Sequence, residues 1–322
     1  MKAVLQTRYG EPEHVLEVGE LADPTPGEGE VLVRVRAAGV NWADCALTRG
    51  VPYMLRAGYG LREPKSPVRG TDVAGTVEAV GDGVSELRVG DEIFGSCTGA
   101  FAELATAKVD DVTTKPTTIS FEEAAGVTMS GLVALQAMRD VARVQPGQQV
   151  LINGASGGIG TLAVQVAKTL GAEVTGVCST PHLELVSSIG ADHVIDYTKE
   201  DFTRSGRRYD VILDMADDRS LPDRRKALTS HGTLIPNSGG GNRWVGSLGR
   251  IVMARMASLL VSQTFRPFLS TQQRDDLLSL RQMLNDGSVR PVVGATHPLD
   301  ESSRAVTLAG GGHATGKVVI VV

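Results

Sequence analysis

Cysteine is scarce in this chain of 322 residues: Cys45, Cys97 and Cys178 only, an odd number without C-x-x-C spacing. That disfavours a disulfide framework and any four-cysteine zinc site. Histidine is nearly as sparse, and none of His14, His182, His193, His231, His297 and His313 pair at i, i+4 spacing. Positive charge is not concentrated. The 32 Lys and Arg face 37 Asp and Glu, leave a formal net charge of −5, and form no basic block, which argues against a nucleic-acid surface. The longest apolar run, Ile251 to Val261, is interrupted by Arg255 and is too short to span a bilayer. Met1 to Thr7 lacks the apolar core expected of a signal peptide. No internal repeat or low-complexity tract is present. A cytoplasmic enzyme without stable membrane insertion is the expectation, and the length suits two domains.

What is present centres on the turn Gly154, Ala155, Ser156, Gly157, Gly158, Ile159 and Gly160. An apolar strand-like run, Gln149 to Ile152, precedes it. Beyond it Leu162, Ala163, Val166, Ala167 and Leu170 recur at three- and four-residue spacing, a buried helix face that ends at Gly171. Strand, glycine turn and helix in that order form a cradle for a dinucleotide pyrophosphate, because glycines let the backbone approach the phosphates and the helix start presents free N–H groups. The spacing is Gly154-x-x-Gly157-x-x-Gly160 rather than G-x-G-x-x-G, and a ligand-free strand-to-helix turn is the lesser alternative on the pattern alone. The downstream text supplies context. Runs at Glu173–Cys178, His193–Asp196, Val211–Met215 and Gly232–Pro236 read as strands, with helical stretches at Leu183–Ile189 and Pro222–Leu228. Alternation of this kind predicts an α/β fold with a doubly wound parallel sheet, whose ligands bind at the carboxyl ends of the strands.

The chain before about residue 120 reads differently. Val31, Val33 and Val35 share one strand face, and Gly and Pro turns are frequent. Ser120 and Glu123 make a capping box opening a helix through Ala124 to Met138. After Phe268 come a helix near Gln273–Leu284, then Val292 and Val293, and a terminal strand at Lys317–Val322. The expected division is a discontinuous β-rich domain, 1–121 with 272–322, around a dinucleotide-binding domain, 122–271. At the end of the second strand, where an NAD-preferring site places an acid for the ribose 2′-hydroxyl, stand Ser179, Thr180, Pro181 and His182. Ser179, Thr180 and His182 can donate hydrogen bonds to a 2′-phosphate; Ser179 and Thr180 read equally as a helix N-cap ahead of Pro181. No Lys or Arg lies between Cys178 and Tyr197.

Several further motifs fall in the order of a known family: Ala38 to Asp44, Gly70 to Gly75, Val80-Gly81, Gly90 to Gly95, Gly99 to Glu103, Gly190 to Tyr197 and Gly316 to Val319. Through these the chain resembles the medium-chain dehydrogenase/reductase superfamily, in its zinc-independent, quinone-oxidoreductase-like branch. The resemblance implies a GroES-like substrate domain beside a Rossmann domain, an active site in the cleft between them, and commonly a homodimer. It implies NADPH rather than NADH, with Tyr197 on the adenine side. By family position Asn41, Asp44 and Tyr53 are the catalytic candidates: Asn41 and Tyr53 as donors to the acceptor oxygen, Asp44 as an orienting group. Thr128, Asp214, Met215, Ser238, Gly239 and Lys317 carry over as cofactor neighbours.

The resemblance also frames the metal question. Zinc-dependent relatives place a Cys near Asn41 and a His-Glu pair in the segment beginning at Gly70. Here Asn41, Thr71 and Asp72 stand there, and an amide, a hydroxyl and one carboxylate make a poor tetrahedral set. Only Ser96, Cys97 and Thr98 separate Gly95 from Gly99, leaving no room for a four-cysteine lobe. No metal is expected, and reduction of a polarised conjugated acceptor, a quinone or an α,β-unsaturated carbonyl, becomes the natural chemistry. Two other readings stay open: a redox-responsive NADPH-binding protein with little turnover, and a zinc-free NADP-dependent alcohol dehydrogenase. Between Arg243 and Phe268, Trp244, Val245, Leu248, Ile251, Val252, Met256, Leu259 and Leu260 give a wide apolar face, read as a lid or dimer surface first, with simple core as the plain alternative and membrane contact last.

Overall fold

The strands run in chain order β1 (Lys2–Gln6), β2 (Leu16–Glu20), β3 (Glu30–Val40), β4 (Asp72–Val80), β5 (Glu92–Ser96), β6 (Leu104–Lys108), β7 (Val112–Thr114), β8 (Gln149–Asn153), β9 (Glu173–Cys178), β10 (His193–Asp196), β11 (Tyr209–Asp214), β12 (Leu228–Pro236), β13 (Thr264–Phe265), β14 (Val293–Pro298) and β15 (Lys317–Val321). This computed structural model describes residues 1–216, 218–237, 242–246, 262–312 and 314–322. The chain splits into two compact units, Met1–Leu132 with Thr271–Val322, and Val133–Ser270. The first break falls after Leu132 rather than at 121, because the helix Phe121–Ala125 packs on β3 and β4.

In the first unit β3 is the organising strand. It pairs along its length with β4, while its other edge is shared: β6 takes Glu30–Arg34 and β15 takes Ala37–Val40. Val31, Val33 and Val35 all point into the core, as period-two alternation requires. The terminal strand β15 also pairs in parallel with β14, so the C-terminal segment completes the sheet begun by the N-terminal one. The capping box is formed: Ser120 N–H donates to Glu123 Oε2 at 2.8 Å and Glu123 N–H to Ser120 Oγ at 3.2 Å. The helix it opens is shorter than expected. It ends at Ala125, and a second helix, Thr128–Gln136, follows. Gly126 and the β-branched Val127 and Thr128, poor helix formers, lie at the interruption.

In the second unit six parallel strands stand in the order β10-β9-β8-β11-β12-β13. By sequence rank this is 3-2-1-4-5-6, the Rossmann order, whose direction of travel reverses beside β8. Leu151, Val177 and Ile212 in the middle strands are buried, as expected for a sheet covered on both faces. Leu162, Ala163, Val166 and Ala167 are buried in the helix Gly158–Thr169, and so are Thr161, Val164 and Gln165 between them, so burial extends beyond the one face that the spacing predicts. Gly171 then takes φ +82°, the left-handed turn that ends it.

Candidate functional site

The turn between β8 and the helix Gly158–Thr169 lies at the point where the strand order reverses. Gly154 has φ +89°, and the N–H groups of Gly154 and Ala155 both donate to the Val177 carbonyl, at 3.1 and 2.9 Å. A Cβ on Gly160 would sit 2.1 Å from the Gly154 carbonyl oxygen, so only glycine lets the helix close on the turn. A Cβ on Gly157 would meet nothing nearer than 3.5 Å. Gly157 caps the helix without any side-chain hydrogen bond, and the first turn carries no acidic residue. The N–H groups of the helix start, the positive end of its dipole and the open space at Gly157 together fit a pyrophosphate. Ser156, Gly158 and Ile159 are partly exposed there, while Ala155 is buried beneath.

The neighbouring loop after β9 is more committed than its sequence implies. Ser179 occupies the N-cap of a single turn, Thr180–His182, without a side-chain cap bond. Thr180 Oγ donates to Asp196 Oδ2 at 2.5 Å. Asp196 ends β10 beside Cys178 in the register, and its other oxygen accepts from Thr198 N–H at 3.0 Å and Thr198 Oγ at 2.7 Å. Lys199 Nζ lies 3.3 Å from Oδ2. The Thr180 hydroxyl, then Thr198, holds the Asp196 carboxyl well below the usual carboxylate range. The sequence reading missed Asp196; a lone carboxylate closing the apolar run His193–Ile195 was the available signal. Tyr197 is exposed and its N–H donates to the Cys178 carbonyl at 3.1 Å.

At the end of β11, Asp214 is wholly buried and its carboxylate is already engaged. Arg224 Nη1 donates to Oδ2 at 2.6 Å and Asn153 Nδ2 to Oδ1 at 2.8 Å. It ties β8, β11 and the helix Leu221–Lys226 together. Met215 follows, partly buried, its Cβ standing 3.6 Å from where a Cβ on Gly154 would be. Ser238, Gly239 and the stretch 247–261, with most of the expected lid or dimer face, lie outside the described residues. Trp244 and Val245 occupy an exposed turn instead of a helical stripe.

In the first unit Asn41, Asp44, Asp72, Ser130 and Lys317 form one buried polar cluster. Asn41 and Asp44 open the helix Trp42–Arg49, and the Asn41 N–H donates to Asp44 Oδ2 at 2.7 Å. Asn41 Nδ2 donates to Asp72 Oδ2 at 3.0 Å, which also accepts from Met129 N–H at 3.2 Å. Lys317 Nζ donates to Asn41 Oδ1 at 2.7 Å and Ser130 Oγ at 3.1 Å, and lies 3.9 Å from Asp72 Oδ2. Burial pushes the Asp44 carboxyl up to about 7, raises Asp72 and lowers Lys317. Thr128 Oγ is buried without a hydrogen-bond partner. Asp72 and Ser130 were not singled out as site residues by sequence; Asp72 was weighed only as a replaced zinc ligand. These groups do not suit a divalent cation, which would meet the Lys317 amine among its ligands. Among the described residues no three His, Cys, Asp or Glu side chains are grouped to hold a metal, and no helix is long and apolar enough to cross a membrane.

Tyr53 opens a short turn, Tyr53–Leu55. Its ring carries the Arg56 guanidinium 4.8 Å from the centroid, and Tyr9 carries the same guanidinium at 4.4 Å. Tyr9 Oη donates to the Gly60 carbonyl at 2.6 Å, which fixes the loop around the stack.

Comparison with known proteins places these features in a family context. Residues 27–117 match the alcohol dehydrogenase GroES-like domain family and residues 189–320 the family described as zinc-binding dehydrogenase. The chloroplast envelope quinone oxidoreductase homolog of Arabidopsis thaliana is 30% identical, covering 99% of this chain and 98% of its own. Among solved structures, the quinone oxidoreductase from Coxiella burnetii superposes with a TM-score of 0.86 at 26% identity, over 100% of this chain and 99% of its own. An NAD-dependent alcohol dehydrogenase superposes with a TM-score of 0.85 at 26% identity, over the whole of both chains.

Proposed function

Because the chain belongs to the medium-chain dehydrogenase/reductase superfamily, in its zinc-independent, quinone-oxidoreductase-like branch, we propose that it reduces a quinone or an α,β-unsaturated carbonyl at the expense of a nicotinamide dinucleotide. The observation that carries this reading is the glycine turn at the reversal point of a sheet in 3-2-1-4-5-6 order. A bound reduced nicotinamide supplies the hydride. The protein's contribution begins at Gly157–Gly160, whose helix-start N–H groups bind the pyrophosphate and set the depth at which the nucleotide lies.

Asn41 supplies the acceptor side. Its amide has two hydrogens, and Asp72 accepts one; the second is available to an acceptor oxygen that gains negative charge as reduction proceeds. Lys317 donating to Asn41 Oδ1 fixes which way the amide faces and strengthens its N–H as a donor. Tyr53, held through Arg56 against Tyr9, is the candidate source of a proton for the product oxygen.

Mixing the protein with NADH or NADPH and a panel of quinones and enones, while following the absorbance of reduced nicotinamide, tests the reading. Consumption of nucleotide with one acceptor class is expected. No consumption with any acceptor, despite nucleotide binding, refutes the reductase and leaves a binding protein. The structural likeness to an alcohol dehydrogenase makes simple alcohols with the oxidised nucleotides the second arm; turnover there alone gives the reverse chemistry.

A further inference from the structure

We propose that Arg69 binds a carboxylate, so that the acceptor reduced by this chain carries an anionic group in addition to its reactive carbonyl. The inference rests on the reductase reading above and names a substrate class within it. Every residue concerned belongs to the first unit. Arg69 stands just ahead of β4 and is 7% exposed. Its Nε donates to Gln6 Oε1. That partner is neutral, and it is held in this orientation because Gln6 Nε2 donates to the Thr48 and Arg8 carbonyls at 2.7 and 2.8 Å. Arg69 Nη2 is buried and has no hydrogen-bond partner. No carboxylate of a described residue lies within ion-pairing distance of the guanidinium. A guanidinium stays charged at physiological pH, and buried charges are ordinarily paired. An orphan donor on a fixed, unmatched cation is the half of an ion pair that a planar anion completes.

The surroundings favour a ligand of that charge. Tyr9, Asp44 and Tyr59 are the ionisable groups close enough to act on Arg69. Tyr9 also carries the Arg56 guanidinium on its ring, and Arg56 Nε donates only to the Gly50 carbonyl, at 2.9 Å. Two cations without a carboxylate partner therefore attend one tyrosine. Asp44 is no lasting counter-charge, because burial holds its proton up to about 7 and its Oδ2 already accepts from the Asn41 N–H at 2.7 Å. That bond joins Arg69's neighbour to the residue proposed to meet the acceptor oxygen. An acceptor with its carbonyl on Asn41 and its carboxylate on Arg69 is oriented at two points. It enters past Tyr59, which is half-exposed at the end of the single-turn helix Arg56–Tyr59.

A series of enones bearing a carboxylate on a methylene tether of increasing length, each paired with its methyl ester, tests the inference. Acid and ester share one reacting centre and differ in charge at the far end. At the best tether the wild-type protein is expected to favour the acid in kcat/KM by about tenfold or more, mainly through KM. Arg69→Met is expected to bring the ratio to about one, and Arg69→Lys, which keeps the charge and loses the fork, to an intermediate value. Gln6→Glu supplies Arg69 with a carboxylate from the protein itself and is expected to abolish the preference as well; it serves if the Arg69 variants fail to fold. Equal use of acid and ester by the wild type, or an unchanged ratio in a folded Arg69→Met or Gln6→Glu protein, overturns the inference while the reductase stands. Consumption of nucleotide with no acid, ester or quinone overturns both.

Discussion

Asp44 makes stability depend on pH in a direction opposite to that of most carboxylates. Burial raises its folded-state value from 3.8 to about 7, so the folded protein holds a proton there that the unfolded chain releases near pH 4. Between these values the native state binds the extra proton, and linkage then lowers unfolding free energy by about 1.4 kcal/mol per pH unit. Over roughly three units the loss is about 4 kcal/mol, complete once pH passes the folded value. Asp44→Asn abolishes the titration and keeps an oxygen to accept the Asn41 N–H. The variant is therefore expected to gain about 4 kcal/mol on the wild type as pH rises from about 4 to about 8. Urea unfolding midpoints across that range read the difference, and Asp72 and Lys317, present in both proteins, largely cancel. Stability curves that run parallel would show that Asp44 is ionised in the folded state, held by the Asn41 N–H and Lys317, and the reasoning from burial would fail.

Other perturbations reach the remaining parts of the site. Gly160→Ala drives a Cβ to 2.1 Å from backbone oxygen, and is expected to cost about 1–3 kcal/mol in thermal stability and to weaken nucleotide binding in a calorimetric titration. Arg224→Met leaves the buried Asp214 carboxylate without its cation and is expected to cost about 3–5 kcal/mol in chemical denaturation, with the double variant carrying Asp214→Asn costing less. Ser120→Ala removes one arm of the capping box and is expected to lose about 1 kcal/mol with turnover unchanged.

Much of the second unit was legible because its signals are local. The runs at Glu173–Cys178 and His193–Asp196 coincide with β9 and β10, and the apolar positions Leu162, Ala163, Val166 and Ala167 are all buried in their helix. The glycine turn is likewise a matter of adjacent residues. Side-chain commitments were not legible, since they join residues far apart in the chain. Thr180 meets Asp196, Asp214 meets Arg224 and Asn153, and Lys317 meets Asn41 across 276 positions. The interruption at Gly126 escaped notice because the capping box ahead of it and the apolar residues behind it both read as helix.

The placement of β15 has a consequence for how the protein comes into being. Residues near 40 cannot find their partners near 318 until almost everything between them has left the ribosome, so the first-made part of the sheet waits longest with an uncovered edge. The second unit, whose strand partners all lie between 149 and 265, is able to settle earlier during synthesis. Nascent β3 is the segment in greatest need of a chaperone, and truncations that stop short of β15 should aggregate rather than leave a usable half.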